Sequence, residues 1–388
     1  MSRNQKQKII FSLFLLCSTY TTMAQSWWGK LFGSDDPKSK FHYSIENNQF
    51  TTDFDKWKNE KEFNSNQNVL HPNVSSFEKI KLIGNTIDNF IEHLYVNKNL
   101  MVIHPAYSNI FLYEKNGKFR KELTRKGRGP GEIEDLADPV FSIFRDTIYV
   151  VSNGSISQFS PDGFDLRRQY IGSFARSFPI MNKDYIVTNN FAVDPKNTYT
   201  IYVYAKNNYQ HLYSIRFNKS DMMNIQPMSS KTDVSLTFES NNQMIFHPKN
   251  TSFFYEFNVA IRSITNAYNI KHAYYKEPEK KDTKYNSIGD LMWYNRNYFS
   301  AYFSIRDDNR LIIFYSKDNT QEGVVATTSA LVVVADLQKK EILRQYLFTG
   351  YHPLFYFDKK IYLRYNNFDK MNDDEMNTLY LLPIITEK

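Results

Sequence analysis

Short apolar or alternating runs follow one another along most of the chain, with polar turns between them. Such runs, rich in β-branched and aromatic residues, are typical of β-strands. No segment shows the capped helical periodicity that parallel strand-helix-strand units would require. The pattern therefore predicts an all-β protein with about twenty short strands. Representative runs are residues 100–104, 110–114, 147–151, 156–159 and 272–275.

A repeated phrase indicates how these strands are grouped. A polar turn containing Gly117 ends one set of runs, a similar turn containing Gly163 ends the next, and the two glycines are 46 residues apart. A period near this value is typical of one blade of a β-propeller. Dividing the roughly 310 residues from Phe77 onwards by about 50 gives about six blades. The predicted fold is a six-bladed β-propeller of four-stranded antiparallel blades over residues 76–388.

The two ends of such a ring need a partner. An unclosed ring would expose two sheet edges, and exposed edges promote pairing with other chains. Residues 79–83 form the earliest predicted strand of the propeller and residues 378–382 the last. We predict that these two strands pair and close the ring.

The N-terminal residues have the composition of an export signal. Arg3, Lys6 and Lys8 precede an apolar run over residues 9–17, which is too short to span a bilayer. Small residues then lead to a plausible cleavage site after Ala24. The sequence predicts a signal peptide over residues 1–24 and an exported protein, periplasmic, cell-surface or extracellular, with no transmembrane span in the mature chain.

Cys17 is the only cysteine of the chain. A lipoprotein signal would acylate this thiol but usually has a small residue before it, whereas Leu16 is bulky; this favours export without lipidation. The mature chain would then hold no thiol for a disulfide or a metal. Removing the three basic residues of the signal lowers the net charge from +7 to +4. The remaining basic residues are scattered, so no nucleic-acid partner is predicted.

Residues 25–75 form a polar stretch with neither sustained alternation nor helical spacing. This pattern predicts a partly ordered leader or a short N-terminal subdomain in front of the propeller. The pair Trp27-Trp28 within it is a candidate docking peptide for an envelope assembly.

One glycine-rich turn carries a family resemblance. Gly127-Arg128-Gly129-Pro130-Gly131-Glu132, the later Pro139 and the strand Ile148-Tyr149-Val150-Val151 resemble an NHL-type repeat. More closely, the turn resembles the signature of secreted six-bladed β-propeller proteins of Bacteroidetes, relatives of TolB-like propellers. The resemblance is strongest over residues 100–164. It implies a propeller fold and export, and it carries no catalytic residues.

The same turn could suggest a phosphate cradle, but its residues favour a structural role. A phosphate-binding loop would continue into Gly-Lys-Ser or Gly-Lys-Thr and a helix, which this segment lacks. Pro130 removes one amide donor, and Glu132 would repel an anion. The predicted structural turn signature consists of Gly127, Gly129, Pro130, Gly131 and Glu132.

An aromatic segment over residues 285–303 is the candidate ligand platform. Trp293, Tyr294 and Arg296 place rings beside a guanidinium group, a combination that could bind a sugar or a peptide. The same rings could instead pack between blades, and the sequence leaves both interpretations open.

No metal or cofactor site and no catalytic residue is predicted. The eight histidines lie far apart without a His-x-x-x-His pair. His104, His247 and His352 each precede a proline and could meet at the propeller axis, although stabilising turns is their simpler role. No Gly-x-Ser-x-Gly elbow is present. Four acidic residues after the glycine turn do not have the spacing of a calcium loop: Glu132, Glu134, Asp135 and Asp138.

The predicted function is that of an exported, non-enzymatic propeller that binds a protein or glycan partner of the cell envelope. The alternative is a propeller lyase or hydrolase with its site at the axial channel. Titratable side chains that converge near the axis would indicate an enzyme, and a mixed or aromatic patch on one face would indicate a binding protein.

Overall fold

The computed structural model describes a large part of the chain, and all of the described residues belong to one compact unit, Asn47–Lys388. The described residues are 60–65, 68–85, 87–127, 132–133, 139–145, 147–152, 154–163, 165–171, 180–190, 199–217, 234–238, 242–248, 252–276, 296–319, 328–366 and 371–384.

Six separate sheets follow one another along this unit, and we number them blades I to VI. Three short strands come first: β1 (Asn64–Ser65), β2 (Val69–Leu70) and β3 (Glu78–Lys81). Blade I consists of β4 (Ile91–Val96), β5 (Leu100–Pro105), β6 (Phe111–Glu114) and β7 (Phe119–Glu122). A small parallel pair, β8 (Arg125–Lys126) and β9 (Glu132–Ile133), precedes blade II, which consists of β10 (Val140–Phe144), β11 (Thr147–Ser152), β12 (Ser155–Phe159) and β13 (Asp165–Tyr170).

The remaining blades repeat this order. Blade III consists of β14 (Ile180–Met181), β15 (Tyr185–Asn190), β16 (Tyr199–Ala205) and β17 (His211–Phe217). Blade IV consists of β18 (Val234–Phe238), β19 (Gln243–Pro248), β20 (Phe253–Asn258) and β21 (Ser263–Asn269). Blade V consists of β22 (Ser300–Asp307), β23 (Arg310–Asp318), β24 (Thr328–Asp336) and β25 (Glu341–Thr349). Blade VI contains β26 (Tyr351–Phe357), β27 (Lys360–Tyr365) and β28 (Thr378–Pro383), with the short helix α1 (Asp373–Met376) before β28.

The blades are arranged in a ring. The first strands of successive blades contact one another from β4 to β10, β14, β18 and β22, and β26 of blade VI contacts β4 of blade I. The first strand of each blade is therefore the innermost one, and the fourth strand is the outermost. This arrangement confirms the predicted six-bladed propeller of four-stranded antiparallel blades.

Ring closure follows the predicted pairing. Strand β3 pairs antiparallel with β28, with Ile80 opposite Leu379 and Lys81 opposite Thr378. Leu379 is fully buried, so the pairing joins a hydrophobic face as well as a hydrogen-bond ladder. The early strand thus becomes the outer strand of blade VI and covers an edge that would otherwise be exposed.

Part of the stretch predicted as a leader is built into blades IV and V. Strands β1 and β2 pair in parallel with β25, the outer strand of blade V. Phe63 is 2% exposed, its ring meets Tyr268 edge-on at 6.0 Å, and its amide donates to the carbonyl oxygen of Asn269 at 2.9 Å. The predicted boundary after residue 24 falls among residues 1–59, which lie outside the described residues, and the boundary after residue 75 also stays a prediction.

Aromatic and aliphatic side chains fill the spaces between neighbouring blades. One cluster joins blades I and II, a second joins blades III and IV, a third joins IV and V, and the largest joins V, VI and I. Tyrosine hydroxyl groups add hydrogen bonds across three of these interfaces. Tyr95 donates to the carbonyl oxygen of Ile143 at 3.1 Å, Tyr213 donates to that of Val259 at 2.6 Å, and Tyr302 donates to that of Pro353.

Candidate functional site

The predicted ligand platform is only partly visible. Trp293 and Tyr294 lie outside the described residues. Arg296 is half-buried just before β22, and its Nε atom is inaccessible to solvent. The platform of Trp293, Tyr294 and Arg296 therefore stays a prediction.

The glycine-rich turn is held at its two ends. Arg125 pairs with Glu132 in the parallel ladder of β8 and β9, and the amide of Gly127 donates to the carbonyl oxygen of Ile133 at 3.0 Å. The Glu132 carboxylate lies where a Cβ on residue 127 would be, so a larger residue there would displace this side chain. Ile133 is buried in the cluster between blades I and II. This geometry is what a structural turn requires, and that role stays a prediction. The rest of the signature lies outside the described residues: Gly129, Pro130 and Gly131.

Among the described residues, one group of three potential metal ligands comes together: Glu92 and His93 on β4, and His104 on β5. We call this group the Glu-His-His cluster. Its nearest ligand atoms all lie within 4.8 Å of one another. The group includes neither His247 nor His352, so the proposed meeting of the three proline-linked histidines does not occur as a metal-binding group in this part of the chain.

A β-bulge explains why two sequence neighbours can face the same site. Ile91 pairs with Pro105 and His93 pairs with His104, so Glu92 is an extra residue in β4. Successive side chains of a regular strand point to opposite faces, and an inserted residue interrupts that alternation. Because of the bulge, Glu92 and His93 can both approach His104 across the ladder.

The histidine rings of the Glu-His-His cluster are largely enclosed. His104 is 0% exposed, and both of its ring nitrogens, like Nε2 of His93, are inaccessible to solvent. The two imidazole rings lie 5.8 Å apart and nearly parallel, at 14°. Phe141 of blade II meets the ring of His93 edge-on at 6.3 Å. Glu92 and His93 are half-buried on the innermost strand, so part of each residue is accessible to solvent.

Blade VI contributes a half-buried cation next to this cluster. The Arg364 guanidinium lies 4.4 Å from the ring centre of Phe90, and its Nε and Nη1 atoms are inaccessible to solvent. Burial lowers the pKa of Arg364 to about 10, while the negative charge of Glu92 favours its protonated form. Arg364 pairs with His352 across the β26-β27 ladder.

The polar side chains continue from blade VI into blade V. His352 stacks on Tyr302 with ring centres 5.0 Å apart, and burial raises the pKa of Tyr302. Polar groups of three blades thus form a continuous inner-strand polar band, which sequence reasoning missed. Two adjacent polar residues between Ile91 and Leu94 break the alternation of β4, and this break was the available signal. The band consists of Tyr302, His352, Arg364, Glu92, His93 and His104.

A second polar site lies at turns of blades II and III. The Lys206 ammonium lies 3.4 Å from the ring centre of Phe144 and 5.3 Å from that of Tyr149. The Arg145 guanidinium lies 5.5 Å from the Phe144 ring. Burial, followed by the positive charge of Arg145, lowers the pKa of Lys206 to about 8, and Asp184 opposes that shift.

A third cation completes this site. The Arg167 guanidinium lies 4.6 Å from the ring centre of Tyr209. Arg145 and Arg167 are exposed, whereas Tyr149 and Tyr209 are buried, so the surface presents cations supported by ring faces. We call this site the basic-aromatic patch. It consists of Phe144, Arg145, Tyr149, Arg167, Lys206 and Tyr209.

No protein-family model and no curated protein matches this chain. None of the helices among the described residues has the length and apolar character needed to cross a membrane.

Two solved structures from Bacteroides share the fold. A member of the DUF4221 family from Bacteroides vulgatus has a TM-score of 0.59 and 14% identity, covering 81% of this chain and 98% of that chain. A "Putative exported protein" from Bacteroides fragilis has a TM-score of 0.56 and 14% identity, covering 82% of this chain and 97% of that chain. At this identity the likeness shows the fold alone, and the NHL-type or TolB-like character stays a prediction. The chain is thus a six-bladed β-propeller that resembles these two Bacteroides proteins over most of their length.

Proposed function

We propose that this chain is an exported, non-enzymatic propeller that binds an acidic glycan of the cell envelope through the basic-aromatic patch. The observation that carries the proposal is the position of Lys206 over the Phe144 ring, together with the exposed Arg145 and Arg167, each of which lies near an aromatic ring. A bound carboxylate, sulfate or phosphate group would meet three cations whose apolar stems and charged heads are already held by rings.

The chemistry of the patch favours a glycan over a protein partner. Protein interfaces usually bury about 800 Å² per partner around an apolar centre. Here Tyr149 and Tyr209 are buried beneath the cations, so the surface offers charge and hydrogen-bond donors in place of a broad apolar area. Export is supported by the signal-like N-terminus and by the description of the similar B. fragilis protein.

Binding measurements with defined glycans test this proposal. The purified protein should bind a carboxylated or sulfated polysaccharide by isothermal titration calorimetry, and it should not bind neutral dextran. Affinity should fall as salt rises, because exposed charges are screened beyond about 10 Å at 0.1 M.

The variant R145A/K206A should lose at least about tenfold in affinity, equivalent to about 1.4 kcal/mol. Lys98→Ala is the matched control, because Lys98 is an exposed cation in a turn of blade I. Equal binding of neutral and acidic glycans, or unchanged affinity in R145A/K206A, would refute the proposal.

A second candidate function is a hydrolase or lyase at the inner strands, which the Glu-His-His cluster favours. Titratable groups gathered in a partly buried site are typical of catalytic centres. Incubation with the same acidic glycans should then give shorter products, and Glu92→Gln should abolish their formation while leaving binding at the basic-aromatic patch intact. Intact glycans after prolonged incubation would argue against this candidate.

A further inference from the structure

We propose that Glu92, His93 and His104 form a binding site for one divalent transition-metal ion of the zinc class. This site is separate from the basic-aromatic patch, and the inference does not depend on glycan binding.

The distances suit a metal ion. Zinc binds histidine nitrogens and carboxylate oxygens at about 2.0–2.2 Å, which places the ligand atoms of a tetrahedral site about 3.4 Å apart. The ligand atoms of the Glu-His-His cluster lie within 4.8 Å of one another. Displacements of the ligand atoms by about 1 Å would bring separations of this size close to the tetrahedral value.

The ligand set indicates the class of metal. Two imidazoles and one carboxylate with an open fourth position are the ligands of many zinc sites that bind water or substrate. Imidazole ligands suit zinc, copper, nickel and iron, whereas calcium and magnesium prefer oxygen ligands. The cluster should therefore select zinc over calcium and magnesium.

The backbone holds these ligands in place before any ion binds. His93 and His104 are partners in the β4-β5 ladder, and the bulge at Glu92 fixes the third ligand beside them. The ring of Phe141 meets that of His93 edge-on, and His104 is completely buried. Ligands whose orientation is set by packing lose little conformational freedom on binding.

The buried guanidinium of Arg364 is the strongest argument against a second cation nearby. The positive charge of Arg364 attracts the Glu92 carboxylate. If both carboxylate oxygens faced the guanidinium, the affinity of the cluster for a metal ion would be lower. A carboxylate has two oxygens and about four acceptor sites, so Glu92 can face the guanidinium with one oxygen and the ion with the other.

The experiment uses the full protein after treatment with a chelator and dialysis. Titration with zinc chloride in a calorimeter should show one ion per chain with a dissociation constant in the micromolar range or tighter. Cobalt should give visible absorption bands of tetrahedral geometry, and zinc should raise the melting temperature where calcium and magnesium do not.

Variants of the ligands test the assignment. His93→Gln should weaken zinc binding at least about a hundredfold and Glu92→Gln at least about tenfold, while the exposed control His71→Gln should change nothing. Circular dichroism and melting curves establish that each variant is folded. If the ligand variants do not fold, the cobalt spectrum and the zinc-dependent melting shift of the unmodified protein still decide the question.

Absence of stoichiometric zinc binding would overturn the inference, and so would binding that persists in both folded variants. These outcomes are distinct from failure of the proposed function, because the R145A/K206A variant should bind zinc normally whether or not the protein binds a glycan.

Discussion

Two buried histidines of the blade IV region should make stability fall in mild acid. His247 is 1% exposed, stacks on Phe254 at 4.1 Å, and donates from Nδ1 to the carbonyl oxygen of Phe253 at 3.0 Å. His272 is 4% exposed, and its Nδ1 accepts the amide of Tyr274 at 3.2 Å. Burial lowers the pKa of His247 to about 4. Burial, together with the charge of nearby His247, lowers the pKa of His272 to about 3.

The sign and size of the effect follow from these pKa values. In the unfolded chain a histidine has a pKa of about 6.5, so below that pH the unfolded state binds more protons than the folded state. The neutral histidines contribute their full stability above about pH 6.5, and this contribution is lost as the pH falls towards 4. Between pH 7.5 and pH 5 each histidine lowers the free energy of unfolding by about 2 kcal/mol, and the pair lowers it by about 4 kcal/mol. That loss is a large part of the total free energy of unfolding of a typical protein, which is about 5–15 kcal/mol.

Urea unfolding at pH 7.5 and pH 5.0, at constant ionic strength, measures this loss. In His247→Asn and His272→Asn the difference in unfolding free energy between the two pH values should shrink by about 2 kcal/mol each. Asparagine keeps a polar atom near the position of Nδ1 and does not titrate. Both variants should be less stable at pH 7.5, because the smaller side chain leaves a cavity. His71→Asn is the control for losing an exposed histidine.

The outcome that would refute this reasoning is a pH dependence that stays the same in the unmodified protein and in both variants. The absolute stability of the variants does not enter the test, because the comparison is between two pH values for the same protein.

Two further predictions concern a buried ion pair and two glycines. Glu256→Gln should destabilise the protein by about 3–5 kcal/mol, because it leaves the guanidinium of Arg306 without its buried counter-charge. Urea unfolding should show a smaller loss of stability for E256M/R306M, in which both charges are removed. Gly117→Ala should lower the melting temperature more than Gly350→Ala. Both glycines have positive φ, but an added Cβ collides with the carbonyl oxygen of Lys81 only in the first, so equal losses would contradict the packing argument.

The propeller could be predicted from the sequence because the middle strands of its blades, such as β5, β11 and β24, carry strong apolar patterns. The outer strands were harder to predict from the sequence. For example, β13 (Asp165–Tyr170) has charged residues in succession and mostly exposed side chains, so its sequence shows no buried face. The run at residues 272–275 was predicted as a strand, and this was wrong. The amide of Tyr275 donates to the carbonyl oxygen of His272 at 2.8 Å, so these residues form a turn whose rings pack on blade V.

The candidate sites depended on information that a sequence pattern does not contain. Arg364 is far from Glu92 in the chain, and only the contact of blade VI with blade I brings their charges together. The Glu-His-His cluster needed a one-residue bulge, without which Glu92 and His93 would point to opposite faces. Lys206 and Phe144 belong to different blades. In each case the chemistry arises between elements, whereas periodicity reports the surroundings of one element at a time.

The location of the inner-strand polar band links its chemistry to closure of the ring. Arg364 lies on β27, which pairs with β28, and β28 pairs with β3, which ends at Lys81 and precedes Glu92 in the chain. The charges of Arg364 and Glu92 therefore meet where the last blade adjoins the first. Because linkage is reciprocal, an ion that binds the Glu-His-His cluster more tightly in the closed ring must stabilise closure by the same free energy. A metal ion bound between the last and the first blade would thus also stabilise the closed propeller.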